Sequence, residues 1–575
     1  MNSLLIPTAS LAPKFTLPTL SQSVTGLSAL LLGQERALDA FKLHQAIPEQ
    51  QLYLADFPGI DRPLFIDALM ETVAPIPPAY LIANPQAEEG TPLIWQNETT
   101  DASPMAVKKR SHQYLSGNIR RADLLGRMVT TPDGPCYQAG SLAECHYLFI
   151  CVESLWKRES LWDLVMQILT QKQYQISNSL SPIPLNCKII LVGASLIYSQ
   201  IRSEDWQFQR HFSLLAEMAS EIDTSLYSTE QYANWLQTIA QRVNVALEPS
   251  SLAPLFKHSA RLTEHQRRLN LSMLDFTQLI AQAAAYRGKP SIDAESIAKA
   301  ISQSNYRHNS SEMFSGQSFD DNFINLPTEG AMVGQINGLT VIDSVDYSYG
   351  EPARITATVH YGDGEVADIE RKSELGGNIH AKGMMILSAC LYRIFGRDAP
   401  LHLNANIVFE QSYQEIDGDS ASLAEYCALM SAIAEQPIIQ SLAITGALDQ
   451  FGNVQAIGGI NEKIEGFFNL CQRRGLTGEQ GVIMPKSNVL QLNLSQEVIT
   501  AVGNGLFHIY AVEHMDQAVE LLMQMPAGVA NEDNDFPEDS LYGLVQERLD
   551  RLAGNGEEEI GFMARLLAKL GFFRN

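Results

Sequence analysis

Three strand-length apolar runs set the first constraint on this chain: Gln51-Leu-Tyr-Leu-Ala55, Tyr147-Leu-Phe-Ile-Cys-Val152 and Cys187-Lys-Ile-Ile-Leu-Val192. Each is too short for a buried helix and too continuous for a strand with one wet face. Runs of this kind are buried on both faces, as in parallel sheets whose crossovers are helices. Helical spacing surrounds them, in Ala37, Leu38 and Phe41 after Gly33, in 63–70 and in 274–285. The stretch 84–140 is polar, with scattered Gly, Pro and Asn. A parallel α/β unit is therefore expected over 31–210, with a helical subdomain over 211–310. Residues 1–30, rich in Pro, Ser and Thr, read as an arm or a short packed segment.

A second alternation follows. Strands are expected at 354–361, 401–410 and 441–448, and helices at 382–395, 421–435 and 461–474. This is an independent α/β domain over 329–527. A polar stretch from Gln303 to Asn322 places the boundary, with a linker over 311–328. The tail, 528–575, opens with an acidic bridge at 530–535. Two amphipathic helices are expected beyond it, at 541–552 and 559–570.

Charge and cysteine usage narrow the function classes. Lys+Arg number 40 against 65 Asp+Glu, a formal charge of −25 that repels phosphate backbones and argues against nucleic acid as a partner. The 7 cysteines form no CxxC pair, which argues against a zinc ribbon or a disulfide framework and fits a reducing compartment. The first residues lack a basic segment followed by an apolar core, so no secretory signal is read. The apolar runs fall far short of the ~20 residues of a membrane span. A cytoplasmic chain without membrane, metal or cofactor is expected.

Chemistry concentrates in two motifs. Glu415-Ile-Asp-Gly-Asp-Ser-Ala-Ser422 lies between a β run and a helix. Ser420 then stands on the turn at a helix N-terminus, where unpaired N–H groups can stabilise a developing oxyanion. A plain N-cap serine fits the same octapeptide. Ile457-Gly-Gly-Ile-Asn-Glu-Lys-Ile-Glu-Gly466 puts Lys463 in the first turn of a helix buried through Ile464, Phe467, Phe468 and Cys471. The helix dipole and desolvation both lower the pKa of such an amine and suit it to act as a base. A solvated lysine pairing with Glu462 or Glu465 is the alternative. His380 reads as structural rather than as a second base. Asp417 and Asp419 read as turn-shaping residues rather than as resting partners of Lys463.

These motifs resemble those of the Lon protease family. Its serine lies in Asp-Gly-Asp-Ser-Ala-Ser or a close variant, and its lysine in Gly-Gly-x-x-x-Lys. Ser420 and Lys463 stand 43 residues apart, as in the family. The family's threonine, which holds the amine, matches Thr445 in Ile444-Thr-Gly446, 18 residues before Lys463. The resemblance covers 329–527, including 329–338 and 376–383, and its serine motif looks like that of archaeal and related bacterial members. It implies a Ser-Lys endopeptidase acting on unfolded polypeptides, in a homo-oligomeric ring, a hexamer by the family pattern.

The first half resembles the family's AAA+ module through Leu32-Gly-Gln-Glu-Arg-Ala37, but departs from it where nucleotide would bind. In place of Gly-x-x-Gly-x-Gly-Lys-Ser/Thr stands Asp56-Phe-Pro-Gly-Ile-Asp-Arg-Pro63. Glycines wrap phosphates, lysine neutralises them and the hydroxyl ligates magnesium. Asp56 and Asp61 oppose a polyphosphate instead, at about 4 kcal/mol per like-charge contact at 4 Å and an effective ε of 20. The family's Asp-Glu pair falls on Cys151-Val152, and 269–286 holds no sensor arginine. Arg210 matches the arginine-finger region and reads as an interface residue. The membrane helices inserted in archaeal relatives are absent. The reading is a protease with a degenerate AAA+ module that does not hydrolyse ATP. Its rivals are a non-enzymatic pseudo-ATPase scaffold or adaptor ring, and an ATP-dependent protease with an unorthodox nucleotide site.

Overall fold

The computed structural model describes residues 2–20, 26–84, 93–98, 104–132, 134–177, 180–344, 347–362, 364–396, 401–412 and 415–553. The chain divides into two units, Phe15–Thr263 with Arg267–Ile301, and Met1–Lys14 with Glu264–Gln266 and the chain from Ser302 onward. Among the described residues no helix is long and apolar enough to cross a membrane.

In the first unit α1 (Glu35–Ala46), β1 (Leu52–Asp56), α2 (Arg62–Glu71), β2 (Arg110–Leu115), β3 (Cys145–Cys151), β4 (Lys188–Ala194) and β5 (Leu214–Glu217) build a five-stranded sheet. Its order is β5-β1-β4-β3-β2 and every pairing is parallel. Leu52, Tyr53, Leu54, Phe149 and Ile190 are fully buried, as continuous apolar runs require. The polar stretch 84–140 is not featureless. It holds strands Leu93–Gln96 and Ala106–Lys108, paired to Ala79–Ala83, and the hairpin Gly126–Thr131/Gly134–Ala139. Leu93–Gln96 and the hairpin strands are half-exposed, and Ala106–Lys108 is only three residues long, so none leaves an apolar run to read.

Four helices follow: α3 (Thr229–Arg242), α4 (Leu252–Leu262), α5 (Met273–Arg287) and α6 (Ala294–His308). Ser228 and Gln231 cap α3 reciprocally. Ser272 caps α5, which ends at Gly288 in the left-handed conformation. Tyr232, Trp235, Phe256 and Phe276 stack at their centre.

The polar stretch 303–322 is mostly helical: α6 runs to His308, and α7 (Ser310–Asp320) covers the first part of the expected linker, 311–328, whose remainder is irregular. On α7 only Phe319 is buried, so the segment carries too few apolar residues to show a helical period.

The second unit continues with β6 (Gln335–Asp343), β7 (Ser348–Tyr361), β8 (Val366–Asp368), α8 (Asn378–Phe395), β9 (Leu403–Glu410), α9 (Ser422–Ala434), β10 (Leu442–Ile444), α10 (Ile460–Arg474), β11 (Gly481–Pro485), β12 (His508–Val512), α11 (Met515–Met523) and α12 (Leu541–Leu552). Its seven-stranded sheet runs β8-β9-β7-β6-β10-β11-β12. The strand expected over 441–448 breaks after Ile444. Ala447–Leu448 leaves the sheet to pair with Val454–Gln455, and Thr445 and Gly446 occupy the break. α9 is buried along its whole length, which explains its continuous apolar sequence.

The first thirty residues do not form one segment. Ile6 and Leu11 are buried in the second unit, where Ile6 N–H donates to Ile509 O. Leu30 and Leu31 belong to the core of the first unit. In the tail, Tyr542 on α12 accepts from Tyr426 and donates to Asp516. The helix expected at 559–570 lies outside the described residues.

Candidate active site

Ser420 sits on the turn before α9, two residues ahead of the first helical residue. The break in the sheet holds it. Gly446 N–H donates to the Ser420 carbonyl at 2.8 Å, the Thr445 hydroxyl donates to the same oxygen at 3.1 Å, and Leu423 N–H returns a bond to Gly446 O. Ser422 locks the other side. Its hydroxyl donates to Asp419 O at 2.9 Å and accepts from Leu448 N–H at 2.9 Å. Gly418 takes φ +128°, a conformation that favours glycine.

Lys463 arrives from α10, whose N-cap Gly459 is left-handed at φ +64°. Its amine lies 2.8 Å from Ser420 Oγ and 3.4 Å from Thr445 Oγ1. Lys463 is 4% exposed and Thr445 fully buried. Burial lowers the Lys463 amine to about 8, against the opposite pull of Asp419. The amine is thus neutral in a useful fraction of molecules near neutrality, close to the hydroxyl whose proton it would take. Glu465 accepts from Ser495 N–H at 2.8 Å. Asp417 shapes the turn, accepting from Ile379 N–H at 3.0 Å and Gly418 N–H at 3.1 Å. His380 is buried, with Nε2 3.1 Å from Asp368 Oδ2, and faces that carboxylate rather than either candidate catalytic group.

The three residues picked from spacing therefore converge, with Ser420 and Lys463 at the wall of a cleft of about 750 Å³ and Thr445 buried behind them. Part of that wall is β6, which pairs with β10 only at Asn337 and Gly338 and runs on to Asp343 with β7 as its one partner among the described residues. Ser422, the double clamp on the loop, was readable in the motif only as a neighbour of Ser420. Its role depends on Leu448, 26 residues away.

In the first unit Arg62, at the start of α2, is enclosed by side chains. Its guanidinium bonds Asp56 at 2.5 and 3.2 Å, both Glu153 oxygens at 2.9 Å and the Cys151 sulfur at 3.2 Å. Burial pushes Asp56 up despite that partner. Glu153 is drawn down to about 2 by its bonds from Arg62, although burial opposes this. Asp61 caps α2 by accepting from Leu64 N–H. Gly59, at φ +98°, is packed against Ser272, and its carbonyl accepts from Leu274 N–H at 2.9 Å. Arg210 is exposed on the short helix Trp206–His211.

Comparison with known proteins agrees with this division. Residues 399–525 match the Lon protease C-terminal proteolytic domain, 102–219 a LonB-like AAA domain, and 246–307 the LID domain of archaeal LonB. A Lon protease homologue of Haemophilus influenzae is 39% identical over 415 residues, 70% of this chain and 69% of the relative. One from Escherichia coli is 38% identical over 69% of each chain. An archaeal Lon protease of Thermoplasma volcanium is 25% identical over 71% of this chain and 64% of its own. An AAA-like α/β domain precedes a Lon-type proteolytic domain, and the chain belongs to the Lon protease family as a Lon-like protease.

Proposed function

We propose that the chain is a serine endopeptidase that hydrolyses peptide bonds of unfolded polypeptides through a Ser420–Lys463 dyad, without ATP hydrolysis. The observation that carries this is the 2.8 Å contact between a buried lysine amine and a serine hydroxyl in an open cleft. Neutral Lys463 takes the Ser420 proton as Oγ attacks the carbonyl carbon. The resulting ammonium gives that proton to the leaving amine as the C–N bond breaks and an acyl-enzyme remains. A water, deprotonated by Lys463 in turn, releases the acid. Thr445 orients the amine. The N–H groups of Asp419, Ser420 and Ala421, which lack an acceptor among the described residues, are the donors available to the oxyanion.

The first unit does not fit a nucleotide. The one cation at the P-loop position is already held by two carboxylates, Pro63 stands where a magnesium-ligating hydroxyl is needed, and Gly59 O is bonded to α5. We assign this module a structural role, with exposed Arg210 near a neighbouring subunit of a homo-oligomeric, hexameric ring. Without a motor, the substrates are chains already extended.

The test is labelling with a fluorophosphonate probe alongside casein cleavage, wild type against Ser420→Ala, with and without Mg-ATP. Labelling and cleavage that vanish in Ser420→Ala and ignore ATP support the reading. Cleavage that survives Ser420→Ala refutes the dyad. A wild type that neither labels nor cleaves points to the scaffold.

A further inference from the structure

Beneath the Ser420 turn lies a buried polar cluster that the proposed mechanism does not use. Asp368, Glu370, His380 and Glu425 are each at most 7% exposed. They come from four elements: the end of β8, the short helix Ile369–Lys372, the first turn of α8 and the first turn of α9. His380 Nε2 lies 3.1 Å from Asp368 Oδ2 and 3.9 Å from Glu425 Oε1, and the ring meets Phe409 edge-on at 5.9 Å. Glu370 accepts from Phe409 N–H at 3.0 Å and so ties the cluster to β9. Ions are not buried without consequence. Four titratable groups away from water must be held by one another, and their charge states are coupled.

The cluster joins the two supports of Ser420. One support is α8, on which the segment before Ser420 rests. Gly377 N–H donates to Ile416 O, and Asp417 accepts from Ile379 N–H. A Cβ on Gly383 would stand 3.3 Å from the Asp419 main chain. The other support is α9, which begins just after Ser420 and carries Glu425. His380 hangs from the first support and Glu425 from the second. Gly376 leaves the ring its room, since a Cβ there would fall 3.1 Å from His380 Cδ2.

We propose that Glu425, through His380 and Asp368, is a positioning residue for Ser420: its carboxylate draws α9 onto α8 and fixes the serine turn against Lys463. This rests on Ser420 being the nucleophile. The charges facing Glu425 are His380 from α8, Asp368 from β8 and Glu370 from the short helix. Burial pushes Glu425 up to about 7, against the pull of His380. Burial by itself would lower His380, but its three carboxylate neighbours hold it above its ordinary value. Around neutrality Glu425 gains or loses its proton, beside an imidazole whose charged form its carboxylate neighbours favour. Above that point the carboxylate–imidazolium attraction is complete. Below it a neutral acid is left and the clamp slackens.

The experiment is the rate of fluorophosphonate labelling of Ser420 against pH, in wild type and Glu425→Gln. Wild type should show two ionisations on its acid side, near 7 for the clamp and near 8 for Lys463. Glu425→Gln, which mimics the protonated acid at every pH, should lose the lower one and keep the upper. Its plateau rate should fall about tenfold, within the range a sub-ångström misplacement costs. An unchanged profile with two ionisations, or a fall in melting temperature with the wild-type profile shape retained, overturns the proposal. Should Glu425→Gln not fold, His380→Asn is read the same way. If wild type is not labelled at Ser420 at any pH, the nucleophile assignment itself is wrong and the inference falls with it.

Discussion

Gly350 and Gly466 lie main chain against main chain. A Cβ on Gly466 would stand 2.1 Å from the Gly350 carbonyl oxygen, and one on Gly350 would stand 1.9 Å from the carbonyl oxygen of Glu462. β7 and α10 thus meet with no side chain between them, and this close approach sets how far Lys463 reaches towards Ser420. Gly350→Ala must push α10 off the sheet beside the Lys463 amine. A misplacement of about 1 Å costs on the order of 10²-fold in rate. Casein cleavage should fall by about that factor while circular dichroism still reports a cooperative fold. Cleavage within twofold of wild type would show that α10 is not positioned by this contact.

Lys463 ties rate and stability to pH in opposite senses to a surface lysine. Its folded pKa of about 8 lies below the ordinary 10.5. The neutral amine that takes the serine proton therefore accumulates as pH rises through 8, and cleavage should rise with it. Between 8 and 10.5 the unfolded chain binds more protons than the folded one, so stability also rises with pH across that window. Below 8 the full cost of burying the ammonium applies, about 3 kcal/mol at 1.36 kcal/mol per pKa unit. Lys463→Met should therefore be inactive yet more stable than wild type at pH 7 in urea unfolding. Lys463→Arg should be inactive too, because a guanidinium stays protonated in the working range. An active arginine variant would remove Lys463 from the role of base.

The convergence of Ser420, Thr445 and Lys463 was legible because they lie in short motifs whose separations are fixed by the strand and helix between them. Ser420, Thr445 and Lys463 could be paired by counting alone. What makes them work was not legible, since it is made of contacts distant in sequence and chemically plain. Nothing in Gly350 or Gly466 announces a main-chain contact, and nothing in Glu425 distinguishes it from a surface glutamate until α9 is seen to be buried on every side. The fold divides in the same way. Strands buried on both faces declared themselves, as in 52–56 and 188–194. The half-exposed strands of 84–140 and the Ser- and Asn-rich helices around 303–320 did not, because neither carries an apolar period. Asp56 and Arg62 were read as two separate defects of a phosphate loop. In the structure they form one ion pair, completed by Glu153 from 91 residues away.

Ser422 offers a separate test of the turn. Its hydroxyl is the acceptor for the buried Leu448 N–H and donates to Asp419 O. Ser422→Ala leaves that N–H without a partner, at a cost of about 1–3 kcal/mol. The lost bond also frees the turn next to the nucleophile. The variant should unfold at lower urea and label Ser420 more slowly, whereas Ser422→Cys should recover part of both. Loss of stability with an unchanged labelling rate would confine Ser422 to a structural role.

The last prediction concerns the first unit, where Arg62 is enclosed by Asp56 and Glu153. Three groups share this contact: Asp56 at the end of β1, Glu153 just after β3 and Arg62 at the start of α2. The guanidinium bonds both carboxylates, so Arg62→Ala leaves them facing each other across a partly buried gap. Removing one partner of a buried ion pair typically costs about 3–5 kcal/mol, and that loss should appear as a lower melting temperature of this unit. Arg62→Lys should recover little, because an ammonium cannot bond both carboxylates with a planar fork. Mg-ATP, by contrast, should leave the wild-type melting curve where it is. A ligand present at about 100 times its Kd stabilises the folded state by about 2.7 kcal/mol, so even modest binding at millimolar nucleotide would be visible. A raised melting temperature with Mg-ATP, or rescue of Arg62→Ala by it, would mean that the ion cluster opens to admit phosphate and that the module still reads nucleotide. An unmoved curve, together with a destabilised Arg62→Ala, would mean that the arginine now holds together the β1, β3 and α2 ends that phosphate and magnesium would otherwise bridge.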